Sequence, residues 1–465
     1  MNAYPRWLLV LLSIAVGGCA VGPNYRRPEA AAPSAFKEAW QSASPADAAV
    51  RGPWWEAYGD PVLTELETSA ERSNQTIRQA EAQYRGAVAA VGGSRAALFP
   101  QVAATAGTTR TQSGASQGGS GTTTRATTID HVSATVDWEL DLWGRLRRQL
   151  EASRSTAEAS AGDLAVARLS VEATLAQNYI QLRALDVQRA LLATTLTGYR
   201  RSLEITRNRY AAGVAASTDV TQAESQLASA EAQDADVGVQ RAVLEHAIAI
   251  LAGKAPEDLT LPPEARIPVL PAVPEVMPAT LLERRPDVAA AERRVAAANA
   301  GIGVARSAYF PTLSLAASGG YQGPAWQHLF TTPARVWSVG PGLAATLFDG
   351  GARRAQNESA VASYDAAVAA YREAVLTALQ AAEDALASLR GLAVEEAAAT
   401  RASEAAHETL RATENQYRAG TVSYLNVVIA EGTVLGADTN LINVQSRRVQ
   451  AHVALLKALG GSPTP

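Results

Sequence analysis

Apolar residues recur in alternating steps of four and three along two long stretches, residues 144–255 and 342–462, that contain no proline. The two series are Leu192, Leu196, Tyr199, Leu203, Thr206 and Tyr210, and then Ala399, Ser403, Ala406, Leu410, Thr413 and Tyr417. This spacing is typical of a coiled-coil seam, and a proline inside a helix would cost about 3 kcal/mol. The pattern therefore predicts two long helices, the first from Arg145 to Arg209 with a length of about 98 Å, and the second ending near Gln416. Gly213 and Gly420 then mark turns into return helices roughly half as long.

The two stretches belong to two copies of one sequence unit. Tyr417 lies 207 residues after Tyr210, and the same shift relates several short segments. The matched segments are Tyr210-Ala211-Ala212-Gly213 with Tyr417-Arg418-Ala419-Gly420, Asp219-Val220 with Asn426-Val427, and Gly253 with Gly460. With a slightly different offset, Phe99-Pro100 matches Phe310-Pro311. A period this long exceeds that of solenoid repeats, so the chain is interpreted as a duplicated half-protein.

Each copy is expected to open with a helix of moderate length, residues 61–97 and 279–308, which ends at the Phe-Pro pair. Apolar and polar residues then alternate along Val132–Leu140 and Trp337–Leu347, with partner strands at Gln101–Thr109 and Thr312–Gly320. Segments of about ten residues with period two are typical of transmembrane β-strands. Four strands cannot close a barrel, and an open edge is not tolerated in lipid, so a membrane barrel would need a dimer or a trimer. Two soluble hairpins packed on helices are the alternative.

The N-terminus has the pattern of a bacterial lipoprotein signal. Arg6 precedes the apolar run Trp7–Val16, which is too short to span a bilayer, and small residues lead to Cys19. We expect Cys19 to be acylated and to become the mature N-terminus, which would tether the chain to a membrane. The alternative is an incidental cysteine in an ordinary signal peptide. Ala20 leaves an outer-membrane destination open.

Composition excludes several kinds of chemistry. Lys and Arg number 41 against 45 Asp and Glu, for a net charge of −4, which argues against nucleic-acid binding. One Cys excludes a disulfide framework and a thiolate zinc site, and the five His residues are scattered without metal-ligand spacing. The segment Gly114–Gly118 formally fits a nucleophile elbow, but it lacks the strand-to-helix context that a hydrolase requires. We therefore expect no enzyme activity, no catalytic residues, no metal, and no cofactor apart from the covalent lipid.

Several motifs then resemble a known family. They are Cys19-Ala20-Val21-Gly22-Pro23-Asn24-Tyr25-Arg26-Arg27-Pro28, Trp54-Trp55, Gly59-Asp60-Pro61, Trp138-Glu139-Leu140-Asp141-Leu142-Trp143-Gly144-Arg145, Arg284-Arg285-Pro286-Asp287 and Leu347-Phe348-Asp349-Gly350-Gly351. In this order they resemble the outer-membrane lipoproteins of tripartite efflux systems, the TolC-like family and its NodT subgroup. The resemblance covers essentially the whole mature chain.

The resemblance implies a mixed α/β membrane protein with an internal two-fold repeat. Its homotrimer would form a 12-stranded outer-membrane β-barrel, with four strands from each chain, continued through the periplasm by a long α-helical barrel. It would be the passive exit duct for toxic compounds, in contact with outer-membrane lipids, with a periplasmic adaptor protein and with an inner-membrane pump of the RND type. The alternative is a periplasmic coiled-coil lipoprotein with an adaptor or structural role.

The resemblance also assigns site residues at the helix turns. Adaptor-contacting tips would be Ala212, Gly213, Val214, Ala419, Gly420 and Thr421, and the periplasmic aperture would be lined by Tyr210, Asp219, Tyr417 and Asn426. Val422 stands where an arginine often supports the closed state, and Asn426 and Ile429 stand where acidic residues can ring the entrance. A charge-locked, strongly cation-selective gate is therefore not expected. For Asp219, capping of the return helix is the alternative to gating.

These expectations divide the chain into six segments. Residues 1–18 would be the signal peptide, 19–60 a lipidated extended segment, 61–255 the first repeat, 256–277 a Pro-rich linker, 278–460 the second repeat and 461–465 a tail. Within the repeats, the β-hairpins would occupy 100–143 and 311–349, and the tips would lie near 211–218 and 418–424.

Overall fold

The computed structural model describes residues 20–29, 53–112, 126–271 and 285–461. The predicted signal peptide, Cys19, the Gly114–Gly118 segment and the start of the second repeat lie outside these ranges, so the expectations for them stay predictions. The element bounds below refer to the described residues.

The first repeat opens with two helices where the sequence predicted one. Helix α1 spans Pro61–Ser73 and helix α2 spans Gln75–Ala96, with Asn74 between them in an extended conformation. The side-chain oxygen of Asn74 accepts hydrogen bonds from the amides of Thr76 and Ile77, and its side-chain nitrogen donates to the Leu251 carbonyl at 2.9 Å. The prediction of one helix over 61–97 is wrong at this position, because a cap anchored to a distant segment interrupts it.

Four strands follow in two hairpins, one in each repeat. Strands β1 and β2 span Gln101–Gln112 and Ala126–Leu140. Strands β3 and β4 span Thr312–Gly323 and Arg335–Ala344. All neighbours are antiparallel in the order β1-β2-β3-β4. The strands lie where the alternation predicted them, but their bounds differ: β2 begins six residues before Val132, β1 and β3 each end three residues later than predicted, and β4 ends three residues before Leu347.

The long helices and their return helices have equal lengths in the two repeats. Helix α3 spans Arg145–Ala211 and helix α4 spans Ser217–Leu251, with 67 and 35 residues. In the second repeat, helix α5 spans Pro286–Ser307, helix α6 spans Ala352–Arg418 and helix α7 spans Tyr424–Ala458, the last two again with 67 and 35 residues. Proline suits the first turn of a helix, and within the described residues α5 begins at Pro286.

The motif carboxylates start the long helices. Asp141 accepts from the amides of Leu146 and Arg147, each at 3.0 Å, and Asp349 accepts from the amide of Arg353. These caps satisfy amides that have no partner within the helix. They explain why an aspartate precedes each long helix by a few residues.

The chain forms two compact units, each built from both repeats. Of the described residues, one unit comprises 20–29, 83–112, 126–161 and 290–371 and contains the sheet. In this unit the Val21 amide donates to the Trp143 carbonyl at 2.9 Å, and Gly22 has φ +105° against Gly303, where a Cβ would lie 2.5 Å from the Gly303 Cα. Glycine is therefore required where this segment crosses helix α5.

The other unit comprises, of the described residues, 53–82, 162–271, 285–289 and 372–461. Its core contains a short 3₁₀ helix, Trp54–Tyr58, within the segment that the sequence predicted to be extended. The Trp54 indole donates to Glu172 at 3.1 Å, and the Tyr58 hydroxyl lies 2.7 Å from Nδ1 of His452. These polar contacts fix the aromatic side chains against helices α3 and α7.

None of the helices in the described ranges combines the length and the apolar character needed to cross a bilayer.

Candidate functional site

The sheet has one apolar face and one face of small and polar residues. Cross-strand register places the apolar residues of all four strands side by side. The apolar residues on this face are Val102, Ala104 and Ala106 on β1, Val132, Ala134, Val136, Trp138 and Leu140 on β2, Leu313, Leu315 and Ala317 on β3, and Trp337, Val339 and Leu343 on β4. Towards the loop between β1 and β2 the same face carries polar residues, with Thr108 donating to Asp130 at 2.7 Å. On the opposite face, hydroxyls pair directly, with Oγ1 of Thr105 3.0 Å from Oγ of Ser133 and Oγ of Ser318 2.8 Å from Oγ of Ser338. A sheet of this kind suits an interface between hydrocarbon and water.

The apolar face is exposed to a degree unusual for a soluble sheet. Trp337 is 72% exposed, Leu343 is 72% exposed and Val102 is 73% exposed. Strands β1 and β4 are the outer strands of the sheet, so each leaves one row of backbone groups without a strand neighbour within the described chain. Such edges need a partner before the sheet can enter lipid.

The two helix turns have nearly identical backbones. Gly213 has φ +73° and Gly420 has φ +74°. The Val214 amide donates to the Arg209 carbonyl at 2.9 Å, as the Thr421 amide does to the Gln416 carbonyl at the same distance. Glycine in the left-handed conformation closes a helix in this way, as the sequence predicted. The six predicted tip residues, Ala212, Gly213, Val214, Ala419, Gly420 and Thr421, are all exposed.

The predicted aperture residues lie around these turns in different environments. Tyr210 is half exposed, and Asn426 is exposed in the first turn of α7. Asp219 lies in the first turn of α4, whose N-cap is Ala216 and which has no side-chain cap. Asp219 therefore does not cap α4, contrary to the alternative raised from the sequence, although its charge favours the positive end of the helix.

Tyr417 belongs to a contact that joins the two hairpins. Its ring centroid lies 5.6 Å from that of Tyr424, and the Arg209 guanidinium lies 4.7 Å from the Tyr417 ring centroid. The Tyr424 hydroxyl lies 2.8 Å from Oγ of Ser202 on helix α3. We call Arg209, Ser202, Tyr417 and Tyr424 the clasp. It links helix α3 of the first repeat to α6 and α7 of the second.

Sequence reasoning missed three members of the clasp. The 207-residue shift places Ser217 opposite Tyr424 and Gln416 opposite Arg209, so the repeat gives no signal for either residue. Tyr424 lies seven residues after Tyr417, on the other side of the turn. The turn reverses the chain and so brings the two rings into contact. Their contact depends on tertiary structure.

A carboxyl group with one buried oxygen lies next to the clasp. Glu431 is two turns beyond Tyr424 on helix α7, and its Oε2 is buried without a hydrogen-bond partner among the described residues. Burial, and then the negative charge of Glu414 on helix α6, raise the pKa of Glu431 to about 7. The protonation state of this group is therefore sensitive to pH near neutrality.

Chemistry elsewhere in the described residues is limited. No group of three His, Cys, Asp or Glu residues in these ranges is arranged to hold a metal ion. Oγ of Ser403 donates to Asp438 at 2.5 Å, and Nε2 of His407 lies 2.9 Å from the same carboxylate. Both side chains contact the carboxylate, so the imidazole does not hold the serine hydroxyl as a nucleophile would require.

Comparisons with known proteins agree with the sheet and the hairpins. A family model described as outer membrane efflux protein matches residues 66–254 and 277–461. The toluene efflux pump outer membrane protein TtgC of Pseudomonas putida is 32% identical over 97% of this chain and 95% of that protein. The pyoverdine export outer membrane protein OpmQ of Pseudomonas aeruginosa is 30% identical over 97% of this chain and 96% of that protein.

A solved structure extends the similarity to three dimensions. The outer-membrane channel OprN superposes with a TM-score of 0.87 at 32% sequence identity, over 96% of this chain and 100% of that chain. The chain is therefore similar to a channel over nearly its whole length.

Proposed function

The chain belongs to the outer membrane efflux protein family, and on that premise we propose that it is the outer-membrane exit channel of a tripartite efflux pump. The observation that carries the proposal is the four-stranded sheet, which has one apolar face, one polar face and two open edges. An enclosed pore with a wet lumen and a lipid-facing exterior requires these features.

Three copies complete the pore in this proposal. Four strands per chain give twelve in a trimer, which allows every strand edge to be paired in the membrane. The polar face with Thr105 and Ser318 would then line the lumen, and the apolar face with Trp337 and Leu343 would meet lipid. Cys19, as an acylated N-terminus, would anchor each copy in the outer membrane.

The helix turns serve as the docking and gating end. We assign the exposed tips at Gly213 and Gly420 to contact with a periplasmic adaptor, which joins the channel to an inner-membrane pump of the RND type. Tyr210, Asp219, Tyr417 and Asn426 would surround the aperture. The clasp supports a closed state that relies on aromatic and cation–π contacts, since Val422 and Asn426 carry no charge.

The cargo is assigned to a broad class of toxic small molecules. The two relatives above are named for toluene and for pyoverdine, which differ greatly in size and polarity. A shared channel architecture with such different cargo supports a passive conduit, in which the pump selects the compound.

Substitution of the tip glycines tests this assignment. At φ +73° a side chain with a Cβ is strained by about 1–2 kcal/mol, although open space surrounds the position. We expect Gly213→Val and Gly420→Val to lower resistance to exported compounds at least four-fold in a deletion strain, with the trimer still formed. Gly198→Val, on helix α3 in equally open space but without a positive φ, is the matched control.

Removal of the lipid anchor, followed by membrane fractionation, separates the competing function. A periplasmic coiled-coil lipoprotein with an adaptor role would stay out of the membrane once its lipid anchor is removed, and it would form no heat-modifiable trimer. Normal resistance in both tip variants would refute the role of the tips. Absence of the chain without its lipid anchor from the outer-membrane fraction would refute the channel itself.

A further inference from the structure

We propose a specific strand register for the interface between copies, in which β4 of one chain pairs with β1 of a neighbouring copy so that Ala344 lies opposite Thr105. The inference rests on the proposed trimer and adds to it the alignment of the two edge strands. It is derived from the internal repeat, because the chain already contains one example of the interface that the repeat would generate.

The two hairpins are related by two constant shifts. Gln101 on β1 pairs with Asp137 on β2, and Thr312 on β3 pairs with Ala344 on β4. Thr312 follows Gln101 by 211 residues and Ala344 follows Asp137 by 207 residues. Strand β3 is thus the counterpart of β1, and β4 is the counterpart of β2.

The contact between the repeats supplies the template. Inside the chain β2 of the first repeat pairs with β3 of the second, with Asp137 opposite Ala316 and Leu140 opposite Leu313. If successive repeats around a closed ring contact one another alike, β4 meets β1 of the next copy in the same manner. The two shifts convert the template into Ala344 opposite Thr105 and Leu347 opposite Val102.

The faces of the sheet provide an independent check on this register. It places Leu343 opposite Ala106 on the apolar face, and Ser338 opposite Thr111 on the polar face. A slip by one residue would set apolar residues against polar ones across the interface. The register obtained from the repeat is therefore one that keeps both faces continuous around the ring.

Exposure provides a second check. Leu140 and Leu313 lie opposite each other inside the chain and are partly covered. Their counterparts at the free edges are exposed: Leu347, the counterpart of Leu140, is 93% exposed, and Val102, the counterpart of Leu313, is 73% exposed. The register also accounts for the early end of β4, because residues 345–347 have a strand neighbour only when a second copy is present.

Disulfide cross-linking of the intact protein measures the register directly. Opposite residues of antiparallel strands have Cα atoms about 4.5–5.5 Å apart, within disulfide range, whereas diagonal neighbours are about 7–8 Å apart. We would combine Ala344→Cys with Thr105→Cys on the polar face. The matched controls are Ala344→Cys with Ala103→Cys and Thr346→Cys with Thr105→Cys, which test a slip by two residues in each direction.

We expect the first pair to give at least five-fold more covalent dimer and trimer on a non-reducing gel than either control pair. Variants with only one of the two introduced cysteines should give none, because acylation would block the sulfur of Cys19. A higher yield from either control pair would overturn the register, and so would an intact trimer in which no pair cross-links. Failure of the unsubstituted protein to form a trimer would instead overturn the proposed function, so the two failures are distinguishable.

Discussion

Glu67 on helix α1 is a buried carboxyl for which the channel function provides no role. Its side chain is fully buried, and neither carboxyl oxygen has a hydrogen-bond partner among the described residues. Burial, and then the charges of Glu172 and Glu71, raise the pKa of Glu67 to about 10. The folded protein therefore holds a proton at this site at neutral pH, while the unfolded chain, with an ordinary carboxyl, releases it.

Because of this difference, Glu67 lowers the stability of the folded protein as pH rises. Between the ordinary carboxyl pKa and about 10, the folded state binds more protons than the unfolded state, so the free energy of unfolding falls with increasing pH. We expect Glu67→Met to raise the free energy of unfolding at pH 8 by about 1–3 kcal/mol, the usual cost of an unsatisfied buried polar group. Thermal unfolding followed by tryptophan fluorescence at pH 5 and pH 8 measures the change.

The matched control is Glu65→Met, because Glu65 is exposed on the same helix. The gain from Glu67→Met should be larger at pH 8 than at pH 5, whereas the control should change little at either pH. Equal stability of Glu67→Met and the unsubstituted protein at pH 8 would contradict this account of the site.

Protonation of the Glu431 carboxyl links the packing around the clasp to pH. The charged and titratable groups around it are Glu414 on helix α6, Tyr199 on helix α3 and Tyr424 on its own helix. Because its pKa is raised to about 7 when packed, acid favours the packed arrangement, and this stabilisation is lost as pH rises from the ordinary carboxyl range through about 7. Channel opening should therefore be more frequent at pH 8 than at pH 5.5.

The substitution Glu431→Gln isolates this group. It keeps the shape of the side chain but removes its titration, so the open probability should become nearly independent of pH between 5.5 and 8. Retention of the full pH dependence in Glu431→Gln would show that another group is responsible.

At the scale of elements, periodicity predicted the architecture well because each long element has a local signal. The proline-free apolar series predicted the C-terminal ends of both long helices to within two residues, and the alternation of apolar and polar residues located all four strands. The failures have non-local causes. The break at Asn74 involves a hydrogen bond to the distant Leu251 carbonyl. For the early end of β4, the proposed register supplies a strand neighbour only from another copy.

The clasp is the element-level feature that sequence could not supply. Arg209 and Tyr417 are more than 200 residues apart in the chain, and the repeat pairs neither Arg209 nor Tyr424 with a similar residue. The sequence did predict the tips, since glycine at the left-handed turn is a local requirement. Their roles in docking and gating stay predictions that the tip variants test.

The clasp gives a prediction of its own. A cation–π contact at an exposed site contributes about 0.5–1 kcal/mol, and three copies would carry three clasps. We expect Arg209→Ala to raise the open probability of the trimer several-fold, and Arg209→Lys, which keeps the charge, to have a smaller effect. Arg201→Ala, two turns earlier on helix α3 and exposed, is the matched control.

At the scale of the whole molecule, duplication gives one chain two hairpins of strands and two hairpins of helices. The sheet of a single copy has open edges and an exposed apolar face, so one chain alone does not satisfy the demands of a bilayer. The sequence led to this conclusion from strand number alone. The structure adds the strand register, which separates an apolar face from a polar one, and the exposed side chain of Leu347 after the edge strand β4. Both indicate how copies would meet.

Single-channel conductance of the purified trimer in planar bilayers measures whether this chain forms an outer-membrane channel. We expect discrete, uniform current steps, rare in the unsubstituted protein and several-fold more frequent in Arg209→Ala at the same conductance per open pore. Absence of steps from both proteins, with the trimer intact and inserted, would contradict the assignment of this chain as an exit channel.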